Sequence, residues 1–566
     1  MTLAGQIKKG AYFDSVTLMR VGKELAALPG VVDAAVVMGT KSNQAILAGS
    51  GLLSSQFKHV SDTDLLIAVK ASTDKAAQSA LAAVDALLSK ATRKSSASSE
   101  VRPASLDGAL KILPEANLAM ISVAGRYAGD LAMRALESGL HVMLFSDNVP
   151  LEQEIALKQF ARKRGLLVMG PDCGTAIING VPLAFANAVN RGSIGIVAAA
   201  GTGLQEVSCI ISNEGAGISQ AIGTGGRDVK QEVGGIMFME GLKALAQDDQ
   251  TRVILLVSKP PHLQVQKRIE QAIKSIRKPV VTLFIGAETK DRGPANLEEA
   301  ALQAVVLSRE SCTEVAADVR RRQRRHRKSA PTNVGGYTMP SLAAREKDLD
   351  KLAQHAAARR KHGQKYVRGL FSGGTFCAEA QIIFKDLLAD VYSNAPVGGG
   401  KQLRNSLVSQ KNTVIDLGED EFTVGRPHPM IDYSLRNRRI LEEAADSSTA
   451  VILLDVVLGY GSNPDPAAEL TPVLRKAGRQ VTVVCSITGT DQDPQNRSHV
   501  AKALCKAGAI VMPSNAAACK LAGRMIQALE PSPNETKVPR RLRSQTVTLK
   551  PTKDLTHRSR RGIASA

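Results

Sequence analysis

Ser193-Ile194-Gly195-Ile196-Val197-Ala198-Ala199-Ala200-Gly201-Thr202-Gly203-Leu204 is an apolar run of strand length that breaks on a Gly-Thr-Gly turn and continues with helical spacing. A buried strand that turns directly into a helix is the opening unit of a parallel, doubly wound sheet. The pattern repeats on both sides of this stretch. Residues 118–123, 141–145 and 166–169 are short apolar runs, each followed by a turn and a helical segment. Residues 220–223, 253–257 and 280–284 continue the central unit. A further unit starts with 367–371 and Ser372-Gly373-Gly374-Thr375 and runs through 450–456, 480–487 and 510–512. These two units share strand, Gly-Thr turn, helix and Gly-rich loop, the pattern an internal duplication would leave. Near the N-terminus a helical segment at 14–27 precedes strands at 31–38 and 64–69. The sequence therefore predicts a multi-domain α/β protein. It has a small N-terminal α/β domain (1–100), three parallel-sheet modules (108–190, 191–312 and 366–530), a basic linker (313–365) and a basic tail (531–566).

A chain of 566 residues is too long for one hydrophobic core. Tryptophan is absent and aromatic residues make up 3%, so small aliphatic side chains must build the cores, as in sheets buried on both faces. The formal charge of +20 is mostly peripheral: residues 313–365 carry 14 basic and 5 acidic side chains, and 531–566 carry 9 and 2. What remains is ordinary for an enzyme surface. No aromatic residues are interleaved with the arginine runs at 320–325 and 540–543, so these read as solvated segments and no nucleic acid is expected as a partner. The seven cysteines include no Cys-x-x-Cys pair, which argues against disulfides and a metal site alike. Lys8 and Lys9 precede polar residues rather than an apolar stretch, and no uncharged apolar run approaches membrane-spanning length. A cytoplasmic location without membrane contact is expected.

Gly-rich turns between a buried strand and a helix leave the first-turn amides unpaired beside the positive end of the helix dipole, where carboxylates and phosphates bind. Gly201-Thr202-Gly203 and Gly373-Gly374-Thr375 supply two such turns. Gly225-Gly226-Arg227 supplies a third loop, which offers a guanidinium. None matches the Walker phosphate loop. The expected ligand is a small anion.

Several longer motifs resemble FdrA-family proteins: Phe145-Ser146-Asp147-Asn148-Val149, Gly170-Pro171-Asp172-Cys173-Gly174-Thr175, Pro182-Leu183-Ala184-Phe185-Ala186-Asn187, Gly223-Thr224-Gly225-Gly226-Arg227-Asp228, Val424-Gly425-Arg426-Pro427-His428-Pro429-Met430-Ile431-Asp432 and Leu454-Asp455-Val456-Val457-Leu458-Gly459-Tyr460-Gly461. The resemblance covers roughly residues 5–525. It implies a relation to succinyl-CoA synthetase, with a CoA-binding-like Rossmann-type module at 108–190 followed by flavodoxin-like ligase modules at 191–312 and 366–530. It also implies either of two activities. One is carbamoyl transfer from carbamoyl phosphate to oxamate or a similar acid in purine (allantoin) catabolism, with separate partner subunits. The other is acyl-CoA synthesis, an acid-thiol ligation that uses CoA and a nucleotide. A non-catalytic anion-binding scaffold is a third reading. An ordered segment is implied beyond the last module, where this chain has its basic tail.

The synthetase works through a phosphohistidine. At the matching place stands Gly286-Ala287-Glu288-Thr289-Lys290-Asp291-Arg292-Gly293, without histidine, and the acidic loop that should support it is replaced by Val257-Ser258-Lys259-Pro260-Pro261. Carbamoyl transfer is therefore the preferred expectation. It needs oxyanion-stabilising donors and a group able to move a proton near neutral pH. His428, on a loop stiffened by Pro427 and Pro429, is the candidate for proton transfer or carbonyl polarisation, with Arg227 and Arg426 as anion clamps and Asp432 and Asp455 as carboxylates that either orient it or cap helices. Lys259 is a candidate phosphate contact. Cys173, at a predicted helix start, is a candidate thiolate, against the preferred reading of a buried, inert cysteine in a tight turn.

Overall fold

In a computed structural model of the chain, residues 2–529 are described, apart from 12, 14, 41–42, 45–46, 49–50, 62–63, 94–102, 104, 288–292, 325–341, 359–360, 362 and 424–426. The N-terminal sheet has the order β1 (Thr2–Lys8), β3 (Leu65–Ala71), β2 (Val31–Met38) and is antiparallel throughout. Alternation along β3 divides it into two faces. Leu65, Ile67, Val69 and Ala71 pack under α1 (Ser15–Ala26) and α2 (Asp74–Arg93), while Leu66 and Ala68 join Leu47, Leu52 and Phe57 on the other side. The weakly patterned β1, with Gly5 in its centre, was not expected from the sequence.

The second module is a parallel sheet, β4 (Leu118–Ile121), β5 (His141–Leu144) and β6 (Val168–Met169), with α3 (Leu106–Ile112), α4 (Gly125–Glu137) and α5 (Leu151–Arg164). Alanines 128, 132 and 135 recur at helical spacing on α4 and let it lie close over Val142 and Leu144.

The third sheet has the order β12-β11-β9-β10-β7-β8. Its parallel strands are β9 (Arg191–Ala199), β10 (Ile218–Gly223), β11 (Val253–Ser258) and β12 (Val280–Phe284). The hairpin β7 (Thr175–Ile178) and β8 (Val181–Ala184) adds antiparallel to its edge. Residues 175–184, expected within the 108–190 module, thus pair with the next sheet, because β7 finds its ladder partner in β10. The helices are α6 (Gly201–Asn213), α7 (Ile236–Gln247), α8 (Leu263–Ile273) and α9 (Leu297–Arg324).

The fourth sheet is parallel, in the order β15-β14-β16-β13-β17-β18-β19: β13 (Tyr366–Phe371), β14 (Val391–Ser393), β15 (Lys401–Gln402), β16 (Asn412–Asp416), β17 (Thr449–Val457), β18 (Thr482–Thr488) and β19 (Ile510–Met512). Its helices are α11 (Gly374–Leu387), α12 (Asp420–Thr423), α13 (Ser434–Ala445), α14 (Pro466–Ala477), α15 (Arg497–Lys506) and α16 (Asn515–Gln527). The expected 313–365 linker is in part helical: α9 continues to Arg324, and α10 (Leu342–Ala357) packs on α16. Ala353 and Ala356 of α10 are buried and Arg524 of α16 bonds Asp350 at 2.9 Å, an apolar stripe that the count of basic residues had concealed. One core runs through both larger modules, joining Leu204, Val207 and Ile211 of α6 to Phe376, Cys377 and Ala380 of α11. Each fully buried large side chain there contributes roughly 1.5–3 kcal/mol. That core fixes the C-terminal edges of the two sheets side by side.

Candidate functional site

The two Gly-Thr turns meet. A Cβ on Gly373 would lie 2.5 Å from Thr202 Cγ2, and one on Gly203 would lie 2.9 Å from Thr375 Cγ2, so both glycines are required by close packing rather than by a ligand. The helix starts differ in what they face. At α6, the Ala200 N-cap offers no side-chain bond, Gly201 is exposed, and a Cβ there would meet nothing within 4 Å. Its first-turn amides open onto a cleft. At α11, the chain's own carboxylates fill the space. Asp455 accepts bonds from the Ser372 amide and hydroxyl at 2.8 and 2.6 Å, and a Cβ on Gly374 would strike Asp416 Oδ2 at 2.4 Å. Of the two expected anion turns, the one at Gly201 is open and the one at Gly373-Gly374-Thr375 is occupied from within.

Lys259, on the loop after β11, projects beside the same helix start, 2.9 Å from the space over Gly374. Burial pushes Asp416 up to about 6, and the Lys259 charge opposes that rise. Asp172 is exposed, and charges from three modules act on it: Asp147 of the second, Lys259 and Arg227 of the third and Asp420 of the fourth. Burial, then the charges of Asp147 and Asp420, push it up to about 6 against Lys259 and Arg227. Asp147 is itself raised by burial, with Asp420 adding to the effect. Sequence reading singled out neither Asp172 nor Asp416. The Gly170-Pro171-Asp172 motif was the available signal for the first.

His428 lies on the loop between α12 and α13 of the fourth module. Nδ1 accepts from the Met430 amide at 3.2 Å, and the ring stands 5.9 Å from that of Phe185. Burial, then the Arg436 guanidinium, hold it down to about 4. At neutral pH it is therefore an uncharged imidazole whose Nε2 carries the proton. That nitrogen and Asp416 Oδ1 both lie 3.1 Å from the space over Gly418. Asp432 is not brought to the ring. Its carboxylate accepts from the Ser434 amide and hydroxyl at 3.0 Å and faces Lys23 of the N-terminal domain at 3.8 Å. Arg426 lies outside the described residues.

Arg227 is partly committed elsewhere: Nε meets Glu154 at 2.9 Å and Nη2 donates to the Val149 carbonyl at 2.8 Å. Beneath it the buried Lys158 bonds Glu154, Asp228 and the Thr224 carbonyl at 2.8–3.0 Å, which clamps the loop to the second module. Gly225 (φ +81) packs on the Pro171 carbonyl, and Gly226 is exposed toward open space. Cys173 corrects an expectation. It precedes strand β7 rather than a helix, its Sγ donates to the Thr175 carbonyl, and burial pushes the thiol up to about 12. Such a cysteine holds no thiolate at neutral pH.

Comparison with known proteins relates this pair of parallel α/β modules to the CoA ligases. A CoA-ligase family model matches residues 370–525, a CoA binding domain model matches 189–286, and a model described as AllF, heavy metal-associated domain matches 1–103. The CoA-binding match thus falls on the third module, whereas the resemblance had set that fold on 108–190. The chain is 39% identical over 520 residues to YahF of Escherichia coli K12, an uncharacterised protein, covering 90% of this chain and 96% of YahF. It belongs to that family, the succinyl-CoA-synthetase-like FdrA family. It is also 29% identical over 175 residues to the alpha subunit 1 of succinate–CoA ligase (ADP-forming) of Archaeoglobus fulgidus, covering 30% of this chain and 58% of that subunit. Among solved structures it is similar to a dinucleotide-forming acetyl-coenzyme A synthetase of Ca. Korarchaeum cryptofilum, with 15% identity, 73% of this chain and 82% of that one covered, and a TM-score of 0.26.

The heavy-metal description of the N-terminal match does not fit this chain. Residues 1–103 contain no cysteine and a single histidine, His59, so a thiolate set is absent and the soft donors left are the thioethers of Met1, Met19 and Met38. Among the described residues no helix is long and apolar enough to cross a membrane.

Proposed function

We propose that the chain is a subunit of an acyl-CoA-synthetase-like enzyme, an acid-thiol ligase in which the phosphate of an acyl phosphate is bound directly at the α6 start. The observation that carries this reading is the open Gly201 helix start, where a Cβ would meet nothing within 4 Å, together with the lack of histidine in the loop at 286–293. The helix amides would hold the phosphoryl oxygens. The neutral Nε2–H of His428 is available to a carbonyl oxygen, and Asp172, raised toward neutral pH, is available for proton transfer. CoA and a nucleotide are the co-substrates this reading asks for. The exposed Gly226 backbone and Lys259 suit their phosphates.

Carbamoyl transfer is a second reading, favoured by the lysine that stands where a phosphohistidine enzyme needs an acid: a carbamoyl phosphate requires no phosphoryl carrier. Separate subunits would complete the site in either case. The experiment gives the purified chain, alone and with proteins that co-purify, ATP, Mg2+, CoA and a panel of small acids, and in parallel carbamoyl phosphate with oxamate. Thioester and ADP formation is the expected result. Phosphate release only from the carbamoyl phosphate arm would replace the first reading with the second, and turnover in neither arm would leave an anion-binding scaffold.

A further inference from the structure

Helix α6 begins Gly201-Thr202-Gly203-Leu204-Gln205-Glu206 and helix α11 begins Gly374-Thr375-Phe376-Cys377-Ala378-Glu379. The two share Gly-Thr followed, after three residues, by a glutamate. Both glutamates are buried, and both leave their own module. Glu206 Oε1 accepts from the backbone amide of Asn515 at 2.9 Å, the first residue of α16, and Oε2 accepts from the Thr488 hydroxyl. Glu379 Oε1 accepts from the amide of Leu297 at 2.7 Å, the first residue of α9, and Oε2 accepts from Asn515 Nδ2 at 2.7 Å. The first helix of each module thus caps the last helix of the other. A carboxylate at a helix start satisfies an orphan amide and meets the positive dipole end, so each module lacks a favourable contact until its neighbour is present.

We propose that Glu206 and Glu379 are paired positioning residues. Their crossed caps set the separation and angle of the two Gly-Thr helix starts, so that the placement of the open α6 start depends on the fourth module as well as on its own. Each glutamate lies five residues into its helix, about 7.5 Å along the axis from the turn, with the interlocked Thr202 and Gly373 between them. The functional half of this proposal rests on the anion reading above. The structural half does not.

The test compares Glu206→Ala and Glu379→Ala with the Gln variants, whose amide oxygen still accepts from the same backbone N–H. Hydrogen exchange in the full chain should show a crossed pattern. Glu206→Ala accelerates the amides at 515–518, Glu379→Ala those at 297–300, and the Gln variants recover most of the protection. Inorganic phosphate affinity, measured by titration, should fall at least ten-fold in the Ala variants and within about three-fold in the Gln variants. Acceleration confined to the mutated helix's own module would overturn the proposal, and so would unchanged phosphate affinity alongside crossed exchange. Absence of phosphate binding in the unaltered chain would instead remove the anion reading, and the exchange pattern would still decide whether the caps cross. Should the Ala variants fail to fold, Thr488→Val, which removes the hydroxyl holding Glu206, is expected to accelerate 515–518 more weakly.

Discussion

His428 shows how position fixes chemistry at the scale of one residue. Histidine in water changes charge near 6.5, but here burial and Arg436 keep it neutral down to about 4. The turnover of the proposed enzyme should therefore show no loss attributable to this ring between pH 8 and 5. His428→Gln, which keeps an N–H donor but not the ring, is expected to lower kcat by one to two orders of magnitude with little change in phosphate affinity. An imidazole titration near 6.5 by NMR would contradict the buried setting. The cysteines give a second check. Cys173, Cys209, Cys377, Cys485 and Cys519 are buried and Cys505 is exposed, and burial pushes Cys377 as well as Cys173 above the usual thiol range. Alkylation at pH 8 followed by peptide mapping should label Cys505 fast and those five only on unfolding. His428 was legible from its proline-flanked loop. Asp172 and Asp416 were not, because burial in the folded chain raises both, with the charges of Asp147 and Asp420 added at Asp172, which no local pattern records.

The two Gly-Thr turns can be told apart at the scale of elements. Gly201→Ala places its methyl in open space, so folding stability should move by no more than about 0.5 kcal/mol. Phosphate affinity should still fall several-fold, since the new group shields the first-turn amides. Gly373→Ala drives a methyl into Thr202 and is expected to cost about 1–3 kcal/mol. Urea unfolding separates the two outcomes, and equal stability losses would show the turns to be packed alike. The strand–turn–helix modules were legible because a buried parallel strand is a short apolar run that ends on a turn. The hairpin β7–β8 was not read from the sequence, and its residues fell inside the expected 108–190 module, because its partner β10 is chosen by tertiary pairing. The Gly-Thr-x-x-x-Glu repeat was visible in the sequence and would have found Glu379, had the two turns been aligned beyond their glycines. The N-terminal domain carries its own prediction: the full chain, dialysed against Zn2+ or Cu+, should retain no stoichiometric ion attributable to residues 1–103. Retention abolished by His59→Ala would show that the domain binds metal without cysteine.

For the whole molecule, buried carboxyls set the dependence of stability on pH. Glu379 is raised to about 7, and Asp172 and Asp416 to about 6, chiefly by burial. A carboxyl that keeps its proton in the folded chain after the unfolded chain has lost it contributes stability below the unfolded value. That contribution is lost as pH rises through the folded value. His428 acts in the opposite sense, its contribution lost as pH falls from 6.5 toward 4. Burial also raises Asp147, Glu206, Asp455 and Asp493 and lowers His141; with these raised carboxyls set against the two lowered imidazoles, the unfolding midpoint in urea should decline from pH 5 to pH 8. Glu379→Gln is expected to flatten that decline by roughly 1–3 kcal/mol, and a midpoint that rises over this range would refute the assignment.

The crossed caps also bear on how the chain is made. The amide of Leu297 is capped by a residue 82 positions later, and Glu206 waits for a partner 309 positions downstream. During synthesis at roughly 5–20 residues per second, the third module leaves the ribosome with its own last helix uncapped and its Glu206 carboxylate without its distant amide. The Leu297 amide waits on the order of 4–16 seconds for Glu379, and Glu206 waits on the order of 15–60 seconds from its own synthesis until Asn515 is made. Over that interval the nascent chain holds an unfinished surface, which makes it a candidate client for chaperones and gives a reason for both halves to be encoded in a single polypeptide.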